Sequence, residues 1–347
     1  MDERDIYVGL DAHKKFCYAT LMNKSGNIID RNKFPTTNAC LDKFMETIGG
    51  SAKVVVEAST SGLRVYDYLD ANDADIVMAH PTKVKAIASA KVKTDKIDSE
   101  VLANLLRTDF IPEAYVPSRE IRDLRGLVRH RTALVKMRTS AKNRIQSILT
   151  LEGVNHNFSD LFGKGGRRFL ETVELRKYNR AAVNNYLDVL DALGLKIKES
   201  SILIDEEVDN DENSDAKILA DKIKGLGTYT ALLCTTEAGN INRFPHYKKL
   251  SSYAGLIPST NSSGGVTKHG KITKQGNKLL RWALVQAAWR VIRYDRNLSD
   301  FYNRMKNKKG SSKAITATAR KLLKKIYYIL TDIQNNNINQ VYESQGN

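Results

Sequence analysis

The order of short apolar runs in the first 115 residues restricts the fold more than any other feature of this chain. DIYVGLD, FCYATLM and NIIDRNKF follow one another across short polar turns such as NKSGN, the pattern of three successive strands. A helical stretch over residues 38–48 then precedes AKVVVEA, a continuous apolar run suited to a central strand covered on both faces. A helix from about Gly62, the strand ADIVMA, and helices near 82–89 and 96–108 complete the order βββαβαβα. Three antiparallel strands followed by βα crossovers make a mixed sheet with helices on its faces, the ribonuclease-H-like topology.

YVPS at 115–118 reads as a boundary, and the sequence beyond it turns strongly helical. A long basic helix is expected near 119–151, interrupted by VNHNFSDLFGKGGRRFL, with further helical segments to about 204. The acidic piece DEEVDNDENSD, 205–215, reads as a solvated helix turn or loop. From 216, IKGLGTYTALLCTTEAGNINRF has the Gly turn and following helix of a helix-hairpin-helix, and reads equally as an ordinary Gly turn between packed helices. The segment from Tyr247 to Tyr294 then reads as helix, Gly/Ser-rich loop, helix. In that second helix Leu279, Leu280, Ala283, Leu284, Ala287, Ala288 and Val291 share one face at 3–4 spacing. A final amphipathic helix is expected over roughly 312–333. The domains expected are therefore 1–117, 118–215 and 216–347.

Charge narrows the partners. A formal net charge of +16 over 347 residues points to a polyanion, nucleic acid before membrane. The cations are clustered: residues 119–144 carry nine Lys/Arg against two acids, and 303–325 carry nine against none. Such patches neutralise phosphates whatever the base sequence. No run approaches the ~18 apolar residues of a membrane span. The start MDERDIYVGLD turns straight into a strand pattern, so no signal peptide is expected. Cys17, Cys40 and Cys234 are too scattered for a disulfide framework or a zinc site, which fits a reducing cytoplasm.

The acids carry the chemistry. Asp11 ends the first strand and Glu57 the fourth, and crossover rules place those strands side by side and parallel. Both carboxylates should then project from one sheet edge. Asp95 and Asp98 in KTDKIDSE lie one turn apart on a helix able to pack against that edge. Taken alone, an acid at a strand end is more often a turn or cap residue. Together they form an oxygen-only set suited to Mg²⁺ or Mn²⁺, with two ions ~3.5–4 Å apart serving phosphoryl transfer. Lys14, Lys15, Lys93 and Lys96 read equally as phosphate contacts or as a solvated rim.

VGLDAHKK, VVVEAST, HPTKVKAIASAKVKTDKIDSEVLANLL and SSYAGLIPSTNSSGGVTKHGKITKQGNKLLRWALVQAA resemble, in order and spacing, the DEDD transposases of the IS110 insertion-sequence family, relatives of Piv-type DNA invertases. The resemblance implies a RuvC-like N-terminal domain, a helical coiled-coil linker, and a C-terminal transposase domain. It assigns the metal tetrad to Asp11, Glu57, Asp95 and Asp98. It also implies a serine that attacks DNA covalently, matched here by Ser263 in STNSSGG, with Ser262 second and Ser259 a distant third. One departure is Lys224 before GLG, where relatives often have proline.

The partners implied are double-stranded donor and target DNA, a structured non-coding bridge RNA, and copies of the chain as a dimer that becomes a tetramer on DNA. Nucleic acid is expected at Lys14, Lys93, Arg125, Arg129, Arg131, Arg138, Lys142, Lys268, Lys271, Lys274 and Lys278. Two rivals keep the nucleic-acid partner: a hydrolytic junction nuclease without the serine step, and a binding protein with a decayed site. A third, an actin-like sugar kinase, would want a Gly/Thr-rich phosphate loop where this chain has DAHKK.

Overall fold

The computed structural model describes residues 6–88, 94–212, 214–263 and 266–345; for 261–269 and 336–345 only the backbone is described. The chain divides into two compact units, Met1–Val116 and Pro117–Asn347.

The first unit is a five-stranded mixed sheet. Its strands are β1 (Ile6–Ala12), β2 (Phe16–Met22), β3 (Ile28–Pro35), β4 (Ala52–Glu57) and β5 (Asp75–Ala79). They lie in the order β3-β2-β1-β4-β5. β1 pairs antiparallel with β2 and parallel with β4, so the first and fourth strands are neighbours as expected. Leu10 sits beside Val56, which places Asp11 and Glu57 one residue past that pair. Val54, Val55 and Val56 are all fully buried because both faces of β4 are covered. On one face Val8, Leu10, Val54 and Val56 pack with Leu41, Phe44, Val65 and Leu69 from α1 (Asn38–Ile48) and α2 (Thr60–Asp70). On the other, Val55 and Ala79 meet Val84 of α3 (Pro81–Ile87) and Leu102 of α4 (Asp95–Arg107). α2 starts two residues before the expected Gly62 because the Ser59 hydroxyl caps it, accepting from the Gly62 amide at 2.9 Å.

Gly9 fixes how closely α4 approaches the sheet. A Cβ there would overlap the Ser99 carbonyl and the Ala103 amide nitrogen of α4. The same contact is tied by Ser99, buried, whose hydroxyl lies 2.7 Å from that of Thr20 on β2. Gly9→Ala is therefore expected to cost about 3 kcal/mol, the upper end of overpacking. Because α4 carries Asp95 and Asp98, the substitution should also reduce the stabilisation given by Mn²⁺. Thermal unfolding with and without the ion reads both effects.

The second unit is mostly helical. Two 33-residue helices, α5 (Arg119–Leu151) and α7 (Lys177–Asp209), flank the shorter α6 (Lys164–Thr172). At one end Ala141, Ile145 and Leu149 of α5 pack with Leu170 of α6 and Val183 and Leu187 of α7. A separate, larger cluster joins Val128 of α5 and Ile204 and Val208 of α7 to the C-terminal helices. Of the two readings of the acidic piece, its first residues take the helical one, since α7 continues to Asp209, and Val208 within it is buried and not solvated.

α8 (Asp215–Lys222) and α9 (Thr228–Ala238) flank the Gly225–Gly227 turn, and α10 (Tyr247–Tyr253) follows. The Gly/Ser-rich stretch differs from expectation. It is a β-hairpin, β6 (Pro258–Ser263) with β7 (Val266–Ile272). Cross-strand backbone pairing supplies the order that a polar, glycine-rich sequence does not announce. α11 (Lys278–Val291) buries the expected stripe, and α12 (Arg296–Lys309) and α13 (Ser311–Gln345) complete the unit. No helix among the described residues is long and apolar enough to cross a membrane.

Candidate metal centre and nucleic-acid surfaces

Asp11, at the end of β1, and Glu57, the last residue of β4, line one open pocket of about 540 Å³ together with Asp95 and Asp98. The latter two occupy the first turn of α4, whose N-cap Thr94 accepts from the Ile97 amide at 3.3 Å. Acids in a first turn are favoured by the helix dipole without any ligand. Asp11 is different, since nothing about a strand end rewards burying it. Burial pushes its carboxyl above the usual carboxylate range; His13 pulls it down, while Asp95 and Asp98 push it further up.

The sequence reading missed His13. Its Nε2 lies 3.2 Å from Asp11 Oδ2 and 3.2 Å from Asp95 Oδ1, bridging β1 to α4. Donor atoms of Asp11, His13 and Asp95 all fall within 4.8 Å of one another. The ring is placed by a turn, with the His13 amide donating to the Phe16 carbonyl at 2.9 Å, and it packs against the Phe16 ring. The available signal was strand period: His13 follows Asp11 by two and so shares its face. A half-buried carboxylate crowded by others, beside a neutral-capable imidazole, is a donor set that fits a divalent cation. Lys14 lines the same pocket and is exposed; Lys15 and Lys96 are exposed too. Lys93 lies outside the described residues.

The expected serines lie in the second unit. Ser262 and Ser263 are the last residues of β6, with backbones paired to Thr267 and Val266. Their side chains, that of Lys268, and all of Gly264 and Gly265 lie outside the described residues. The Ser259 hydroxyl lies against Gly270, in the space a side chain there would need. The base of the hairpin is firmly held. Thr273 donates to the Ile257 carbonyl at 2.9 Å, Asn277 to that of Tyr253 at 2.7 Å, and Arg281 Nη1 to that of Ala254 at 3.0 Å.

Two family models match this chain. Residues 8–152 match a DEDD transposase model of the IS110 group, described as a transposase. Residues 218–303 match one described as the transposase IS116/IS110/IS902 family. The chain belongs to the IS110/IS116 transposase family. Relatives of this transposase include the transposase for insertion sequence element IS1111A of Coxiella burnetii, 26% identical over 72% of this chain and 70% of its own. The transposase for insertion sequence element IS1328 of Yersinia enterocolitica is 24% identical over 93% and 96%. An insertion element IS110 protein of Streptomyces coelicolor is 24% identical over 94% of each chain. Membership implies cleavage and transfer of DNA.

The basic residues of the transposase divide into two groups. Arg125 and Arg129 are engaged within the fold. Arg125 donates to the carbonyls of Thr236 and Glu237 at 2.5 and 3.1 Å. Arg129 makes a two-pronged pair with the carboxylate of Glu237, at 2.7 and 2.9 Å. The Glu237 side chain is fully buried, and it also accepts from Asn277 Nδ2 at 2.7 Å. Burial alone would raise its carboxyl, but the Arg129 and Asn277 hydrogen bonds and both guanidinium charges outweigh that and hold it below the usual range. Arg131 is likewise occupied, donating to the Ser201 hydroxyl and stacking over Tyr229. Lys142 lies over the Phe162 ring, and Arg138 is half-buried. Lys271, Lys274 and Lys278, around the hairpin base, are exposed.

Proposed function

We propose that this chain is a metal-supported DNA recombinase of an insertion sequence, cutting and rejoining donor and target DNA with a structured non-coding RNA as guide. The observation that carries the reading is the convergence of Asp11, Glu57, Asp95 and Asp98 in one pocket, with His13 between Asp11 and Asp95. The four carboxylates would hold Mg²⁺ or Mn²⁺. A bound ion there supplies Lewis-acid polarisation of a phosphodiester and neutralises its charge. The chain's own groups do the rest: Lys14 at the rim meets a flanking phosphate, and His13 fixes the spacing of Asp11 from Asp95. The β3-β2-β1-β4-β5 order supports a RuvC-like fold for this unit. The small apolar cluster from Ala141 to Leu190 supports a separate helical linker, although Val128, Ile204 and Val208 of α5 and α7 pack into the core of the C-terminal domain proposed from 216.

Ser263 is the proposed nucleophile. Its oxygen bonds to phosphorus, the bond from phosphorus to the 3′-oxygen breaks, and the serine proton ends on that oxygen. The products are a phosphoserine link and a free 3′-hydroxyl, ready to be joined to another strand. The exposed lysines Lys271, Lys274 and Lys278 supply phosphate contacts near the hairpin. The working form is proposed as a cytoplasmic dimer that assembles into a tetramer on DNA.

The expected result with end-labelled element DNA and Mg²⁺ is a denaturation-resistant protein–DNA adduct with the full chain and none with Ser263→Ala. Cutting by Ser263→Ala at the unsubstituted rate would replace the serine step with hydrolysis by water.

A further inference from the structure

A second concavity, of about 580 Å³, runs along one face of α5 and is closed on one side by Trp282 of α11. Its chemistry is uniform. No Asp or Glu occurs between Leu124 and Leu151 or between Lys278 and Tyr294. Lys136 and Arg144, one at each end of the α5 wall, are exposed and form no ion pair among the described residues. Between them Ser140 and Asn143 present a free hydroxyl and a free amide. The hydroxyls of Thr139 and Ser147 donate back to the Val135 and Asn143 carbonyls, which leaves their oxygens as acceptors toward the groove. Trp282 is 39% exposed, a large apolar ring left open beside Val135 and the polar and cationic side chains of α5.

We propose that this groove binds an unpaired segment of RNA, with one base stacked on the Trp282 indole. Cations spaced along a helix face suit successive phosphates, and an exposed aromatic ring among them suits a splayed base. A protein surface has no reason to match an acid-free wall with a lone stacking ring, and a duplex keeps its base faces hidden. Along the wall Ser140 and Asn143 can donate and accept while Thr139 and Ser147 accept, which suits a ribose 2′-hydroxyl. The inference deepens the guide-RNA part of the proposed function and is independent of strand cleavage.

The chain has two tryptophans, so Trp289→Phe leaves Trp282 as the sole indole reporter. In EDTA, which removes the metal site from consideration, a 12-nucleotide unstructured RNA is expected to quench that emission saturably. Trp282→Ala in the otherwise native full chain should weaken binding of the same labelled RNA about tenfold or more, and Trp282→Phe should restore most of it. Lys136→Ala with Arg144→Ala should lower the salt dependence by one to two phosphate contacts. Unchanged affinity in Trp282→Ala overturns the proposal. Equal binding of a single-stranded DNA oligonucleotide of the same sequence overturns the choice of RNA, and equal binding of the corresponding RNA duplex overturns the unpaired strand. A change in oligomeric state with Trp282→Ala, without loss of RNA, makes the groove a contact between copies instead. Failure of DNA cleavage would count against the proposed function and leave this inference standing.

Discussion

Asp11→Asn is expected to leave the chain folded, slightly more stable without metal, and inactive. Burial and the neighbouring carboxylates hold the Asp11 acid above its usual value of 3.8. A carboxyl raised in the fold contributes stability below about pH 4 and loses it as pH rises through its folded value. The Asn variant should therefore gain on the metal-free native chain as pH rises through the folded value of Asp11, and the two should converge below about pH 4. DNA strand cleavage should meanwhile fall about 10³-fold or more, because charge stabilisation by a held cation is worth several kcal/mol. Mn²⁺ should raise the unfolding temperature of the native chain and not that of the variant, since only a site that binds the folded state stabilises it. Two observables moving in opposite directions separate a functional role from a structural one. Loss of activity through misfolding would lower both.

Glu237→Ala should have the largest effect on stability in the second unit. The carboxylate is fully buried and joins α5, through Arg129, to the N-cap of α11, through Asn277. Asn277 itself accepts from the Leu279 and Leu280 amides at 3.1 and 2.9 Å, and its backbone amide binds Tyr253 at the hairpin base. Removing the acid leaves two partly buried guanidiniums without their counter-charge, a change worth about 3–5 kcal/mol. Calorimetry should show the transition of this unit lowered by about 10 °C. The pH dependence has the opposite sign to that of Asp11. A carboxyl held below its usual 4.5 contributes stability above that value and loses it as pH falls through the folded value. The gap between native chain and Glu237→Ala should thus narrow in acid, where Asp11→Asn and the native chain also converge.

The parts of the fold that were legible in the sequence share one property: their signal is local. A short β-branched run such as VVV bounded by turns favours a covered strand, and right-handed crossovers then put Asp11 beside Glu57. The pairing of Asp95 and Asp98 one turn apart was equally plain, although α4 starts at Asp95, one residue before the expected 96, because Thr94 caps it. What was not legible depends on distant partners. Arg125 and Arg129 look like any cations of a basic helix until Glu237, more than a hundred residues on, is placed against them. The β6–β7 hairpin lacks the apolar alternation that marks a strand, and its order comes from cross-strand pairing and the Asn277 anchor. His13 sits between an aspartate and two lysines, where a rim residue is the natural reading. Only the approach of α4, permitted by Gly9, brings Asp95 within reach of it.

The central claim is that the carboxylates at the β1, β4 and α4 ends form a divalent-metal centre. Anomalous diffraction from crystals of the full chain grown with Mn²⁺ tests it directly. A Mn²⁺ peak is expected in the pocket lined by Asp11, Glu57, Asp95 and Asp98, and none there in Asp11→Asn. A pocket without Mn²⁺ at a concentration that supports DNA cleavage would contradict it.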